Sequence, residues 1–413
     1  MPSREEAGGR ATGKWLAVVG IGEDGAEGLS PRARALVAGA QVVFGGRRHL
    51  ALAAALIRGE ARPWPTPFDA AVAQVVALRG RPVCVLASGD PFHYGVGVTL
   101  ARHVAREEMQ VVPAPSAFSL AAARLGWALQ AVETVSLHGR PVEGLVPFLH
   151  PGRRILALTS DGAGPGAIAA LLAERGFGAS RLHVLEALGG PRERVCSATA
   201  GTLGDAVFDP LNVVAVEVAG GGRAAAPPLG AGLDEALFEH DGQITKREIR
   251  ALTLSTLAPR RGELLWDIGA GAGSVAIEWM LADPSMRAIA IEREGARAAR
   301  IRRNALSLGV PGLEVVEGAA PAALEGLAPP DAIFIGGGGS QAGVAEAALA
   351  ALRPGGRLVA NAVTLEMEAA LLALQARHGG HLTRIAVSRA TPLGGMTGWR
   401  PAMPVTQWSW VKP

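Results

Sequence analysis

Apolar and polar residues along this chain alternate as short apolar runs separated by helix-length stretches, the pattern of an α/β protein. After residue 235 the runs 263–266, 287–291, 313–316, 332–335, 357–360, 383–387 and 405–411 read as seven strands. Helical stretches separate the first six. The last two lack a long helix between them, which predicts a closing antiparallel hairpin. Before residue 220, strands are expected at 16–19, 83–87, 110–112, 155–159 and 182–185, with a helix from Pro165. Those elements predict two α/β lobes. The stretch 219–232 contains little but Gly, Ala and Pro, and places a linker at 221–234 between domains 14–220 and 235–413.

The most informative segment lies at the first strand of the second domain. Asp267 is followed by Gly269, Ala270, Gly271, Ala272 and Gly273, and a helix-like run begins at Ser274. Strand, tight turn and helix N-terminus together receive a negatively charged ligand group. Glu292 stands nineteen residues beyond Gly273, at the end of a second apolar run, where an acid can accept from both hydroxyls of a ribose. Dinucleotide sites favour G-x-G-x-x-G. The spacing here is G-x-G-x-G with an acid two residues ahead, which suits the carboxylate and ammonium of S-adenosylmethionine (SAM). The segment 336–339, all glycine, and Asn361 follow the fourth and fifth strands and should face the same cleft.

Composition narrows the class. With 49% apolar residues the 413-residue chain can fill large cores, yet no apolar run approaches the roughly 18–20 residues of a membrane span. The charged, glycine-containing start, residues 1–14, does not resemble a signal peptide. Two cysteines, Cys84 and Cys196, exclude a disulfide framework and suggest buried thiols in a reducing cytoplasm. The net charge of +3 is small, and no basic run is interleaved with aromatics, so nucleic acid is disfavoured. Nine histidines show no H-x-x-x-H spacing, and no metal site is expected. Arginine pairs recur at 47–48, 153–154, 260–261 and 302–303. Most read as solvated helix faces or ends, while one or two suit bidentate recognition of carboxylates.

Three strand-end loops mark the first domain: Gly20 and Gly22 after the first strand; Ser88, Gly89, Asp90 and Pro91; and Pro115 and Ser116. With His93, Tyr94 and Gly95 behind the second loop, the domain resembles the tetrapyrrole methylases. Its Gly45-Gly46-Arg47-Arg48-His49-Leu50 and Leu137-His138-Gly139-Arg140 segments resemble the subgroup acting on precorrin-6Y. The second domain is similar to the decarboxylating precorrin methyltransferases. It carries Ile244-Thr245-Lys246-Arg247-Glu248, the 336–339 glycines, Asn361-Ala362-Val363-Thr364-Leu365-Glu366 and Pro392-Leu393-Gly394-Gly395-Met396-Thr397. Together the two likenesses cover nearly the whole chain, in the order of the fused enzymes of cobalamin synthesis.

The resemblance implies a two-lobed tetrapyrrole methylase domain joined to a Rossmann-like methyltransferase domain with a seven-stranded sheet. It implies one SAM site per domain, methylation of meso carbons 5 and 15 of a precorrin-6Y-like macrocycle, loss of the ring C acetate carboxyl, and a homo-oligomer. Cofactor contacts then fall to the three first-domain loops and to Thr245, Asp267, 269–273, Glu292, Ala319 and Ala320; many methyltransferases carry an acid where Ala319 stands, so a backbone contact at Ala320 is expected in its place. Substrate contacts fall to Arg47, Arg48, His138, Arg140, Gly337, Gly338, Gly394, Gly395, Met396 and Thr397.

No triad is expected, because methyl transfer from a sulfonium needs alignment and exclusion of water. For the decarboxylation the conjugated macrocycle is itself an electron sink, so no dedicated acid among Asn361, Glu366, His378 and His381 is expected. Plain structural roles stand beside these readings. Thr245 could cap a helix from Lys246 with Glu248 closing a capping box. Gly394 and Gly395 could form a turn, Asn361 and Glu366 could hydrogen-bond the substrate or cap the helix after Thr364, and Asp331 reads as a turn residue; no catalytic residue is assigned, with Asn361, Glu366, Met396 and Thr397 as the candidates. Glu278 reads as a solvated or capping acid. Three competing functions remain open: a nicotinamide oxidoreductase, a first domain that only binds, and a fused pair acting on another polycarboxylate tetrapyrrole.

Overall fold

The computed structural model describes residues 13–65, 69–204, 206–221 and 226–413. Its trace separates into two compact units. One comprises the described residues up to Val142 and from His150 to 221; the other comprises Glu143–Leu149 and the residues from 226 onward. The middle of the expected linker, 222–225, lies outside the described residues, as do residues 1–12 of the amino-terminal segment.

The first unit carries two five-stranded sheets. Strands β1 (Leu16–Ile21), β2 (Val42–Gly45), β3 (Glu60–Pro63), β4 (Val83–Ser88) and β5 (Met109–Val112) are all parallel, in the order β3-β2-β4-β1-β5. Parallel strands are covered on both faces and read as continuous apolar runs. Leu16 and Val18 accordingly join one core cluster, while Ala17, Val19 and Ile21 join another. Strands β6 (Glu133–Ser136), β7 (Arg154–Leu158), β8 (Arg181–Glu186), β9 (Arg194–Thr199) and β10 (Asn212–Glu217) form a mixed sheet ordered β6-β7-β10-β8-β9. These are the two predicted lobes.

In the second unit, β11 (Leu264–Ile268), β12 (Arg287–Glu292), β13 (Glu314–Glu317), β14 (Ala332–Ile335) and β15 (Arg357–Ala362) are parallel. Strand β16 (His381–Ile385) closes the sheet through β19 (Val405–Val411), which runs antiparallel to both β15 and β16. The order is β13-β12-β11-β14-β15-β19-β16. Between β16 and β19 the chain makes a ribbon absent from the sequence reading, β17 (Ser388–Leu393) paired with β18 (Met396–Pro401). Side chains alternate across the sheet with period two: Leu265 packs with Trp279 and Ile301, while Leu264, Trp266 and Ile268 pack with Leu371 and Trp408.

Two expectations are corrected. No α-helix joins β13 to β14; that connection holds one 3-10 turn, Ala322–Leu324, between Pro321 and the Pro329-Pro330 pair, which cannot supply helix hydrogen bonds. Cys196 is half-buried rather than buried, whereas Cys84 lies in the core with its thiol pushed up to about 12 by burial.

Candidate active sites at the strand ends

At the carboxyl edge of the second unit's sheet lies a cavity of about 530 Å³, within the range of small-molecule sites. The glycine loop, Glu292, Ala319, Ala320, Gly336–Gly338 and Asn361 all line it. The loop's three glycines have positive φ. At Gly269 nothing larger fits, since a Cβ would stand 2.4 Å from the Gly337 carbonyl oxygen. The loops after β11 and β14 therefore meet backbone to backbone, which explains why both are glycine-rich.

Not every residue of the loop faces the cavity. Gly269, Ala270 and Gly271 do; Asp267, Ala272 and Gly273 do not. Gly273 instead precedes the helix Ser274–Leu281, where a Cβ would press on Ile301 at 2.7 Å. Asp267 is 1% exposed beneath the loop. One carboxylate oxygen accepts from the Ala276 N–H (3.1 Å), and the other has no partner. Burial pushes its carboxyl up to about 7, opposed by that N–H and reinforced by the charge of Glu292. Glu292 accepts from the Gly271 N–H (2.8 Å) with one oxygen and from the Glu294 N–H (3.1 Å) with the other. A carboxylate offers about four acceptor positions, so two remain for hydroxyl donors at the cavity wall.

The opposite wall is a strap, residues 242–246, which sequence reasoning found only at Thr245. Gln243 lies over the loop, its carbonyl oxygen 3.1 Å from where a Gly271 Cβ would be. Thr245 lines the cavity but caps nothing: Lys246 is the N-cap of the helix Arg247–Leu257 and makes no side-chain cap bond. Glu248 closes no capping box and pairs with Arg389 on β17. Nor is Glu278 solvated. It is buried, accepts from the Gly232 and Leu233 N–H groups (2.6 and 2.9 Å), and pairs with the fully buried Arg250. Arg250 also donates to the Thr245 carbonyl, fixing the strap from below. A buried pair of this kind costs roughly 3–5 kcal/mol to break on one side. Its only sequence signals were Arg250 in an amphipathic helix and Glu278 as the one charge of an apolar helix, Ser274–Leu281.

Elsewhere the unit places several predicted residues apart. Glu366 is exposed in the first turn of the helix Leu365–His378, which Thr364 caps, and His378 and His381 are exposed away from the cavity. Gly394, Gly395, Met396 and Thr397 form the exposed tip of the β17–β18 ribbon, with Gly394 at φ +62 in a two-residue turn. Asp331 accepts from the Leu264 N–H and pairs with Arg353, as a strand-entry residue should.

The first unit brings its three loops together. A Cβ on Gly20 would stand 1.9 Å from the Gly89 carbonyl oxygen and 2.6 Å from the Ala114 nitrogen. Gly89 is itself at φ +55, against Pro115 and Ser116. Asp90 accepts from the Phe92 N–H (2.8 Å), and Ser116 caps the helix Ala117–Leu125. Behind them His93 stacks on Tyr94, whose φ of +56 is unusual for a side-chain-bearing residue. Arg48 pairs with Glu23, beside Gly22, and donates to Ser88 Oγ (3.3 Å), while Arg47 is exposed. Arg192 reaches the same Glu23 at 3.6 Å, a link the sequence did not reveal. His138 and Arg140 are exposed just after β6. In the remaining arginine pairs Arg153, Arg154, Arg261 and Arg303 are solvated, as expected, and make exposed ion pairs with Glu133, Glu217, Asp283 and Glu239.

A family model of tetrapyrrole (corrin/porphyrin) methylases matches residues 16–204, and one of a precorrin methyltransferase domain matches 236–412. A Sinorhizobium protein, precorrin-6Y C(5,15)-methyltransferase [decarboxylating], is 65% identical over 398 residues, 96% of each chain. The chain belongs to this family. Two shorter Salmonella typhimurium proteins match parts of it. A cobalt-precorrin-6B C(15)-methyltransferase (decarboxylating) is 37% identical over 39% of this chain and 85% of its own. A cobalt-precorrin-7 C(5)-methyltransferase is 33% identical over 44% and 88%. The protein is thus a SAM-dependent methyltransferase, and the second unit's cavity fits that donor: Glu292 keeps acceptor positions for a ribose, and the unpartnered Asp267 oxygen lies beneath a loop expected to hold a cationic methionine end.

Proposed function

We propose that this chain methylates precorrin-6Y at carbons 5 and 15 and removes the ring C acetate carboxyl as carbon dioxide, giving precorrin-8. The domain of residues 14–220 serves carbon 5, and that of 235–413 serves carbon 15 and the decarboxylation, each with its own SAM site. The observation that carries this is the cavity shared by the glycine loop, Glu292 and Asn361, in a chain 65% identical to a protein named for that activity. The two Salmonella relatives are named for decarboxylating C(15) methylation and for C(5) methylation of cobalt-precorrins, on separate chains, which supports the division of labour.

SAM supplies an electrophilic methyl on a sulfonium. The protein's part is to hold the donor in line with the accepting carbon and to keep water out, and such alignment can lower a barrier by roughly 7–11 kcal/mol at the extreme. Glu292 would hold the ribose, the 269–271 backbone the methionine end, and Ala319 and Ala320 the adenine through their main chain. Decarboxylation is driven by the macrocycle as electron sink without a dedicated protein acid; of the four side chains considered for that acid, Asn361 lines the cavity and Glu366, His378 and His381 do not. Work in the cytoplasm and self-association complete the proposal; the exposed Leu393, Met396 and Trp399 of the ribbon (68%, 77% and 76%) suit burial against a second copy.

Mass spectrometry of the product from SAM and precorrin-6Y tests the assignment. The intact chain should add two methyls and lose carbon dioxide. Gly20→Ala should add one methyl and still lose carbon dioxide, and Gly269→Ala should lose none. Carbon dioxide loss that survives Gly269→Ala would overturn the division.

A further inference from the structure

Asn361 sits at the carboxyl end of β15, half-buried on the cavity wall. It is directly opposite Gln407 across the antiparallel β15–β19 pair, so the two side chains share a face. That face meets Thr253 and Thr256 of the helix Arg247–Leu257. Gln407 is 4% exposed and Thr253 fully buried. Gln407 Nε2 donates to Asn361 Oδ1 (3.0 Å) and to Thr253 Oγ1 (3.2 Å), while its Oε1 faces the Thr256 hydroxyl at 2.9 Å. Asn361 Nδ2 donates to Thr253 Oγ1 at 3.0 Å.

A primary amide has two N–H donors. Gln407 turns both into this cluster, and Asn361 gives its oxygen to Gln407 and one N–H to Thr253, which leaves the second Asn361 N–H on a residue that lines the cavity. Its place along the sheet says what meets it. Glu292 marks the ribose at β12, and β15 lies three strands away in the order β12-β11-β14-β15. At about 4.8 Å per strand that is roughly 14 Å, beyond the glycine loop and toward the accepting molecule rather than the nucleoside.

We propose that Asn361 orients the acceptor by donating its free N–H to a carboxylate of the macrocycle, and that Gln407 and Thr253 are positioning residues that hold the amide in donor polarity. This role presupposes that the cavity is the methyl-transfer site. It also gives the buried polar trio a purpose: an apolar contact would hold the helix to the sheet as well, without the cost of burying two amides.

Gln407→Glu is the informative variant, assayed above pH 8 in the full-length protein. A carboxylate at 407 cannot donate, so the Asn361 amide rotates and offers its carbonyl to the cavity. KM for the tetrapyrrole should rise tenfold or more, read through carbon dioxide release, while the dissociation constant for SAM stays within twofold. Asn361→Asp and Asn361→Ala should raise the same KM, and the Asn361→Ala/Gln407→Glu double variant should lose no more than Asn361→Ala alone. If Gln407→Glu does not fold, the two Asn361 variants carry the test, because that side chain is half-exposed. Folded variants with unchanged tetrapyrrole KM would overturn the proposal, as would SAM affinity falling in step with it. Wild-type protein that binds no SAM would instead refute the assignment of the cavity.

Discussion

Asp267 is where a single side chain most directly links folding to ligand. Its folded-state value near 7 lies above the 3.8 of a free aspartate, so between those values the folded protein holds a proton that the unfolded chain has released. The folded state therefore loses stability as pH rises from about 4 to about 7, and the loss is complete above that. Asp267→Asn should flatten this slope, a comparison of melting temperatures between pH 5 and 8 being sufficient. A cation held by the loop above it would favour the ionised form through space. Affinity for SAM should then tighten as pH rises toward 7, by at most about tenfold per unit, and Asp267→Asn should abolish the trend. Measured at the second unit's site in a Gly20→Ala background, a pH-independent wild-type affinity would remove Asp267 from any electrostatic influence on the donor.

Among the elements, the two glycine-bearing turns of the second unit separate a structural need from a ligand's. Gly269 is constrained by the protein itself, through positive φ and the Gly337 carbonyl. Gly269→Ala should weaken SAM binding by tenfold or more in titration calorimetry and lower the melting temperature. Gly395 has nothing within 4 Å and no positive φ. Gly395→Ala should leave the melting temperature unchanged, so any rise in tetrapyrrole KM would report a ligand approaching the ribbon tip, and an unchanged KM would show a plain hairpin turn. The strand positions of the second domain were legible from sequence because fully buried strands write continuous apolar runs and the βα loops carry glycine where backbones meet. The ribbon was not, since the residues of β17 and β18 are nearly all exposed, without a core side to set a period. Glu278 was misread for a related reason: its partners, Arg250 and the Gly232 and Leu233 N–H groups, are distant in sequence, and only tertiary packing reveals that the charge is buried.

For the molecule as a whole, two sheet systems of different topology each bring glycine loops to their strand ends, and each does so within its own unit. Gly20 is enclosed by Gly89 and Ala114, all of the first unit, and Gly269 by Gly337, both of the second. The atoms that enclose each glycine belong to its own unit, so loss of one site should not remove the other. Equilibrium titration of the intact chain with SAM should then give two sites, Gly20→Ala and Gly269→Ala one each, and the double variant none, with each remaining affinity within about threefold of its wild-type value. The clashes differ in kind as well. At Gly20 the obstruction is backbone on two sides, so relief requires moving β1 against the loops after β4 and β5; at Gly269 the loop after β14 alone must shift, and Gly337 and Gly338 lend it freedom to do so. Gly20→Ala should therefore lower the melting temperature of the chain more than Gly269→Ala does. A single site in the wild type, lost with Gly269→Ala and untouched by Gly20→Ala, would leave the first unit without a donor of its own.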